Sequence, residues 1–98
     1  MLDSKQRGRL SSIAQTRSCL VTLGRSGTSP EFVARLAQLL DQHELVKLRF
    51  GDFKEAKAEA AASLAGATGS EVVRIIGNVA VFWKRNPDPE KRRVDVEL

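Results

Sequence analysis

The sequence predicts a single α/β (α+β) domain in which a mixed four-stranded sheet packs with helices, in the order α-β-α-β-α-β-β. Three observations carry this expectation. An apolar run, Leu20-Val21-Thr22-Leu23, enters a glycine-bounded turn, Gly24-Arg25-Ser26-Gly27, and Ser29-Pro30 follows it as a helix start. The run Leu45-Val46-Lys47-Leu48-Arg49-Phe50 alternates with period two, the mark of a strand. Two further apolar runs, Glu71–Ile76 and Val79–Lys84, flank Gly77-Asn78, a pair with the chemistry of a tight hairpin turn. Helical crossovers favour parallel neighbours, whereas the hairpin pair must be antiparallel, so the sheet is mixed.

Taken in order, Ser4 reads as the N-cap of a first helix reaching about Arg17, with Leu2, Leu10, Ile13 and Ala14 on one side. Lys5, Arg7, Arg9 and Arg17 lie elsewhere on its surface, and Gly8 weakens it. The first strand is Leu20–Leu23. The second helix opens at Ser29-Pro30 and keeps helical spacing through Phe32, Val33, Leu36, Leu39 and Leu40. In the second strand Val46, Leu48 and Phe50 point one way and Lys47 and Arg49 the other, predicting one dry face and one cationic face. Asp52 and Glu55 read as a capping box for an alanine-rich third helix that packs through Ala56, Ala60 and Leu64 and ends near Thr68-Gly69. Adjacent strand residues face opposite ways, so at most one of Phe82 and Trp83 is exposed. Beyond Asn86 two prolines and no periodicity predict a flexible tail, residues 87–98, after a domain of residues 1–86. Val94 and Val96 are the tail's candidates for docking.

The 98 residues and 42% hydrophobic content suit one small core. Sixteen Lys and Arg against twelve Asp and Glu give +4, and the surplus lies in the first half, where eight basic residues face four acidic ones. The sign suits an anionic partner, located toward the N-terminal half. A lone cysteine, Cys19, forms no internal disulfide and reads as a small buried residue, and no Cys and His spacing suits zinc. A reducing, cytoplasmic location follows as the expectation. No segment has the length and apolarity of a membrane span.

Glycine at both ends of the 24–27 turn frees the backbone for φ > 0 and for close approach by a ligand, with the first amides of the following helix as donors and Arg25 as a cation. That is chemistry for phosphate, and equally for an ordinary tight turn carrying a solvated arginine. Lys47 and Arg49 read either as a solvated sheet face or as an anion-facing strip. Single His43, at a helix end, suits capping of the last carbonyls better than catalysis, since spacing places no nucleophile or carboxylate with it. Ser26 is no nucleophile elbow, because Thr28 stands where that motif requires glycine. Lys91-Arg92-Arg93 is surrounded by Asp88, Glu90, Asp95 and Glu97, and reads as part of a loosely packed extension.

Three blocks in this order resemble the CRM domain of YhbY-type bacterial proteins and plant organellar splicing factors. They are Leu23-Gly24-Arg25-Ser26-Gly27, His43-Glu44-Leu45-Val46-Lys47-Leu48, and Val73-Arg74-Ile75-Ile76-Gly77-Asn78 with Val81-Phe82-Trp83. The resemblance covers about Ser4 to Asn86. It implies a fold similar to the C-terminal domain of translation initiation factor three, with the glycine loop as a principal RNA contact. The family loop often has Lys at the position of Arg25 and Gly at that of Ser26; the first exchange keeps the charge and the second adds a side chain.

What the resemblance implies is an RNA-binding protein without enzymatic activity, acting on ribosomal RNA in precursors of the large ribosomal subunit. Gly24, Arg25, Ser26 and Gly27 would then contact the sugar-phosphate backbone, with Lys47 and Arg49 as a second strip. Lys5, Arg7, Arg9 and Arg17 would widen the footprint, or serve solubility alone. A monomer needing no metal, cofactor or small-molecule substrate is expected. The alternatives are a protein-interaction adaptor beside the ribosome that touches no RNA, and an enzyme acting on nucleotides.

Overall fold

In the computed structural model, which describes residues 2–94, strand β1 (Val21–Leu23) lies parallel to β2 (Leu45–Phe50), pairing Val21 with Leu48 and Leu23 with Phe50. Strand β4 (Val79–Trp83) runs antiparallel to β2, with Leu45 opposite Trp83 and Arg49 opposite Val79. It also pairs antiparallel with the edge strand β3 (Glu71–Ile76), completing a mixed sheet of order β1-β2-β4-β3. A register shift between Val72 and Arg74 marks a bulge in β3.

The sheet separates two cores. On one face lie α2 (Pro30–His43) and α3 (Lys57–Thr68), whose Leu36, Leu40, Ala61, Leu64 and Ala65 pack on Leu23, Val46, Leu48, Phe50, Ala80 and Phe82. On the other lies α1 (Ser4–Ala14), whose Leu10 and Ala14 join Leu2, Leu45, Val73, Val81, Trp83 and Val94. Period-two alternation along β2 and β4 feeds both cores in turn, so both Phe82 (0% exposed) and Trp83 (4%) are buried. Neither is available for stacking on a base.

Local signals explain most boundaries, and three helix boundaries depart from expectation. Helix α1 is capped by Asp3, not Ser4: the Asp3 carboxylate accepts the Gln6 amide at 2.8 Å and the Gln6 side chain accepts the Asp3 amide at 2.9 Å. It stops at Ala14 because Thr16 and Arg17 turn back onto the carbonyls of Ile13 and Ala14. Helix α3 begins at Lys57, with Ala56 at the N-cap position and no side-chain cap, so Asp52 and Glu55 form no capping box. Residues 52–56 are spent instead on a turn in which Phe53 takes φ 60° and its carbonyl accepts the Ala56 amide. The packing face of α3 is accordingly Ala61, Leu64, Ala65 and Thr68, with Ala60 beside it. Cys19 is half-buried.

The expected tail is structured through Val94. A 3₁₀ turn, Pro89–Lys91, follows Asn86, and Val94 enters the second core at 8% exposure. The cause is Glu44, a fully buried carboxylate at the end of α2 that accepts the amides of Asn86 at 2.6 Å, Arg93 at 2.5 Å and Val94 at 3.0 Å. A buried charge needs donors, and this segment supplies them. Val96 lies outside the described residues. Among the described residues no helix is long and apolar enough to cross a membrane.

Candidate nucleic-acid interface

Strands β1 and β2 run the same way, so the turns that leave them meet at one pole of the sheet, joined by the β3–β4 turn. The Leu23 carbonyl accepts the amides of both Gly51 and Asp52 at 3.0 Å, clamping the two strand exits together. A Cβ on Gly51 would lie 3.1 Å from the Thr22 methyl and 3.2 Å from the Leu23 carbonyl, so this crossing favours glycine. Asn78 accepts the Phe50 amide at 2.8 Å, and the Lys57 ammonium donates to the Gly77 carbonyl at 2.6 Å. Three turns from distant parts of the chain thus form one braced surface.

The 24–27 turn sits at the edge of this pole. Its closing bond runs from the Gly27 amide to the Gly24 carbonyl at 3.0 Å, leaving Arg25 and Ser26 at the exposed tip. The two glycines do different work. Gly27 takes φ 62° and is buried under the Phe53 ring, whereas a Cβ on Gly24 would meet no atom within 4 Å. Only Gly27 needs the left-handed region; Gly24 leaves open space on the outer side of the turn. Ser29 caps α2, its hydroxyl accepting the Phe32 amide at 3.2 Å and its carbonyl the Val33 amide. Those two amides are therefore not free donors, which narrows the donor set expected at the helix start.

Arg25 and Ser26 are exposed and have no side-chain partner among the described residues. Arg49, exposed and one residue before the end of β2, pairs in register with Thr22. Lys54 is exposed on the 52–56 turn, beside the Phe53 ring, which is 45% exposed. Asp52 and Glu55 are exposed on the same turn. An exposed aromatic on a surface that also carries cations can hold a phosphate chain and a base together. Phe53 and Lys54 were not singled out from sequence, because Asp52-Phe53-Lys54-Glu55 reads locally as a helix start.

The remaining basic candidates separate into different environments. Lys5 and Arg9 are exposed on α1. Arg7 instead donates to the carbonyls of Val72 and Val73 (3.2 Å to the latter), holding the β3 bulge, and lies 4.0 Å from Glu71. Lys47 is half-buried and donates to the Arg17 carbonyl at 3.0 Å. The face expected to be cationic is thus largely covered by α1, with Lys47 bonding the chain that leaves that helix. Arg17 stands at the opposite pole from the glycine turn, at the chain's approach to β1.

Comparison with known proteins agrees with this architecture. The CRS1 / YhbY (CRM) domain model matches residues 2–84. "Probable RNA-binding protein YqeI" of Bacillus subtilis is 28% identical over 89 residues, covering 90% of this chain and 93% of that protein. "Probable RNA-binding protein PA4753" of Pseudomonas aeruginosa is 26% identical over 94 residues, covering 92% and 88%. The solution structure of the hypothetical protein SAV1595 from Staphylococcus aureus, a candidate RNA-binding protein, superposes with a TM-score of 0.81 at 26% identity, over 99% of this chain and 100% of that one.

Proposed function

The chain belongs to the CRS1 / YhbY (CRM) domain family, and from that premise we propose that it is an RNA-binding protein that engages ribosomal RNA in precursors of the large ribosomal subunit and assists their assembly. The observation that supports this reading most directly is the braced pole carrying exposed Arg25 and Ser26, without side-chain partners among the described residues, and the half-exposed Phe53 ring. In this reading the open side of Gly24 admits the sugar-phosphate backbone, Arg25 and Arg49 neutralise phosphates, and Ser26 donates a hydroxyl hydrogen bond. Phe53 offers a platform for an unpaired base. Lys5, Arg9 and Lys54 extend the positive field, while Arg7 and Lys47 serve the fold. The protein acts as a cytoplasmic monomer, without catalysis.

Salt dependence separates this from the adaptor reading, since phosphate neutralisation releases counterions and protein docking on an apolar patch does not. Titration of the full chain with a hairpin RNA bearing a single-stranded extension is expected to show affinity falling steeply with salt. Cosedimentation with large-subunit precursors tests the assembly role. Salt-insensitive association with a ribosomal protein, with no RNA crosslink, would replace this reading by the adaptor.

A further inference from the structure

At the pole opposite the glycine turn, an open cleft of about 470 Å³ is lined by Arg17, Ser18, Leu20, His43, Leu45 and Arg93. Its walls come from the approach to β1, the last residue of α2, the first residue of β2 and the C-terminal segment. No local stretch of sequence contains it.

Arg17 and Arg93 serve the fold through main-chain atoms. The Arg17 carbonyl accepts from Lys47, and the Arg93 amide donates to Glu44. Both residues line the cleft, and their guanidinium groups have no partner among the described residues. Among the described residues, two carboxylates of this part of the fold are engaged elsewhere: Glu44 is buried and receives three amides, and Asp41 on α2 lies 3.9 Å from the Lys84 ammonium. The exposed apolar surface of the lining comes from Leu20, which is 40% exposed, whereas Leu45 is buried; Ser18 and His43 complete the lining. Two guanidiniums without a partner among the described residues, in a lining that also holds exposed Leu20, complement a phosphate with a flat ring attached to it.

We propose that this cleft is a second RNA subsite, in which Arg17 and Arg93 grip a phosphate while its base lies on Leu20. The inference rests on the RNA-binding reading above and extends it to a two-ended contact. Strand β2 separates the two poles by about 17 Å at about 3.3 Å rise per residue, so one RNA spans several nucleotides to occupy both. An acidic peptide would satisfy the arginines but leave exposed Leu20 unused, which favours the nucleotide.

His43 is the single histidine, so its ring protons give unambiguous NMR signals for the cleft. The full chain is titrated with a hairpin RNA carrying a single-stranded extension and, separately, with a poly-glutamate peptide. RNA is expected to shift the His43 signals saturably. An R17A/R93A variant keeps both main-chain bonds and should melt like the wild type, yet bind RNA about ten-fold more weakly, with a salt slope reduced by about two. R25E should weaken binding while His43 still shifts at saturating RNA. If R25E weakens binding but R17A/R93A matches the wild type and His43 does not move, the second subsite is refuted and the RNA reading stands. Absence of RNA binding by the wild type would overturn both. Tighter perturbation of His43 by poly-glutamate than by RNA would overturn the subsite in favour of an acidic protein.

Discussion

The Phe53 ring occupies the space a side chain on Gly27 would need: a Cβ there would lie 2.9 Å from one ring carbon and 3.2 Å from another. This contact braces the glycine-bounded turn against the turn that follows β2, and both residues have positive φ, 62° and 60°. Gly27→Ala therefore meets two penalties, a left-handed backbone and a steric clash. It should cost about 1–3 kcal/mol in urea unfolding. Phe53→Ala removes the clash but not the backbone term, so the double variant should recover about 1 kcal/mol of that loss. Strict additivity would show that the ring does not brace the turn.

Gly24 offers the complementary experiment, because a Cβ there meets nothing. Gly24→Ala should leave stability within about 0.5 kcal/mol of the wild type. A fall in RNA affinity in this variant then reports a ligand that approaches the main chain closely. Unchanged affinity would remove Gly24 from the interface.

Arg49 and Arg7 separate binding from folding. Arg49 is exposed, so Arg49→Ala should leave the melting temperature unchanged and lower the salt slope of RNA binding by about one. Arg7 holds carbonyls at the β3 bulge, and Arg7→Ala should cost about 1–2 kcal/mol in stability. Once corrected for the folded fraction, its RNA affinity should equal that of the wild type. A reversed pattern would exchange their roles.

Phe53→Ala tests the stacking platform. Base stacking on an aromatic side chain contributes about 1–3 kcal/mol, so affinity for a single-stranded RNA should fall about ten-fold while affinity for a blunt duplex changes little. Equal loss on both would show that the ring acts through the shape of the turn.

Glu44 carries the anchorage of the C-terminal segment. Glu44→Gln keeps the shape but weakens the acceptor set for three amides, and should cost about 2–4 kcal/mol by urea denaturation. Limited proteolysis should then cut beyond Asn86 before the rest of the domain. Cleavage at the wild-type rate would mean that Val94 alone holds the segment.

Local chemistry made the glycine turn, the Ser29-Pro30 helix start, the alternation of β2 and the Gly77-Asn78 hairpin legible in the sequence, because caps, turns and strand periodicity act over a few residues. The capping-box reading of Asp52 and Glu55 failed for a tertiary reason: the chain there bends to place Phe53 over Gly27. Likewise, nothing local distinguishes Arg7 and Lys47 from exposed Arg9 and Arg49. Their carbonyl partners lie on Val72, Val73 and Arg17, 65, 66 and 30 residues away.

The sequence alone determined the element order, the mixed sheet and the position of the glycine-bounded turn. Tertiary structure decided that both sheet faces are covered, that Glu44 draws residues 86–94 back onto the domain, and which cations remain unengaged. The reason is physical: propensity and periodicity are properties of neighbouring residues, whereas the fate of a charge depends on which donors and acceptors the closed fold brings to it.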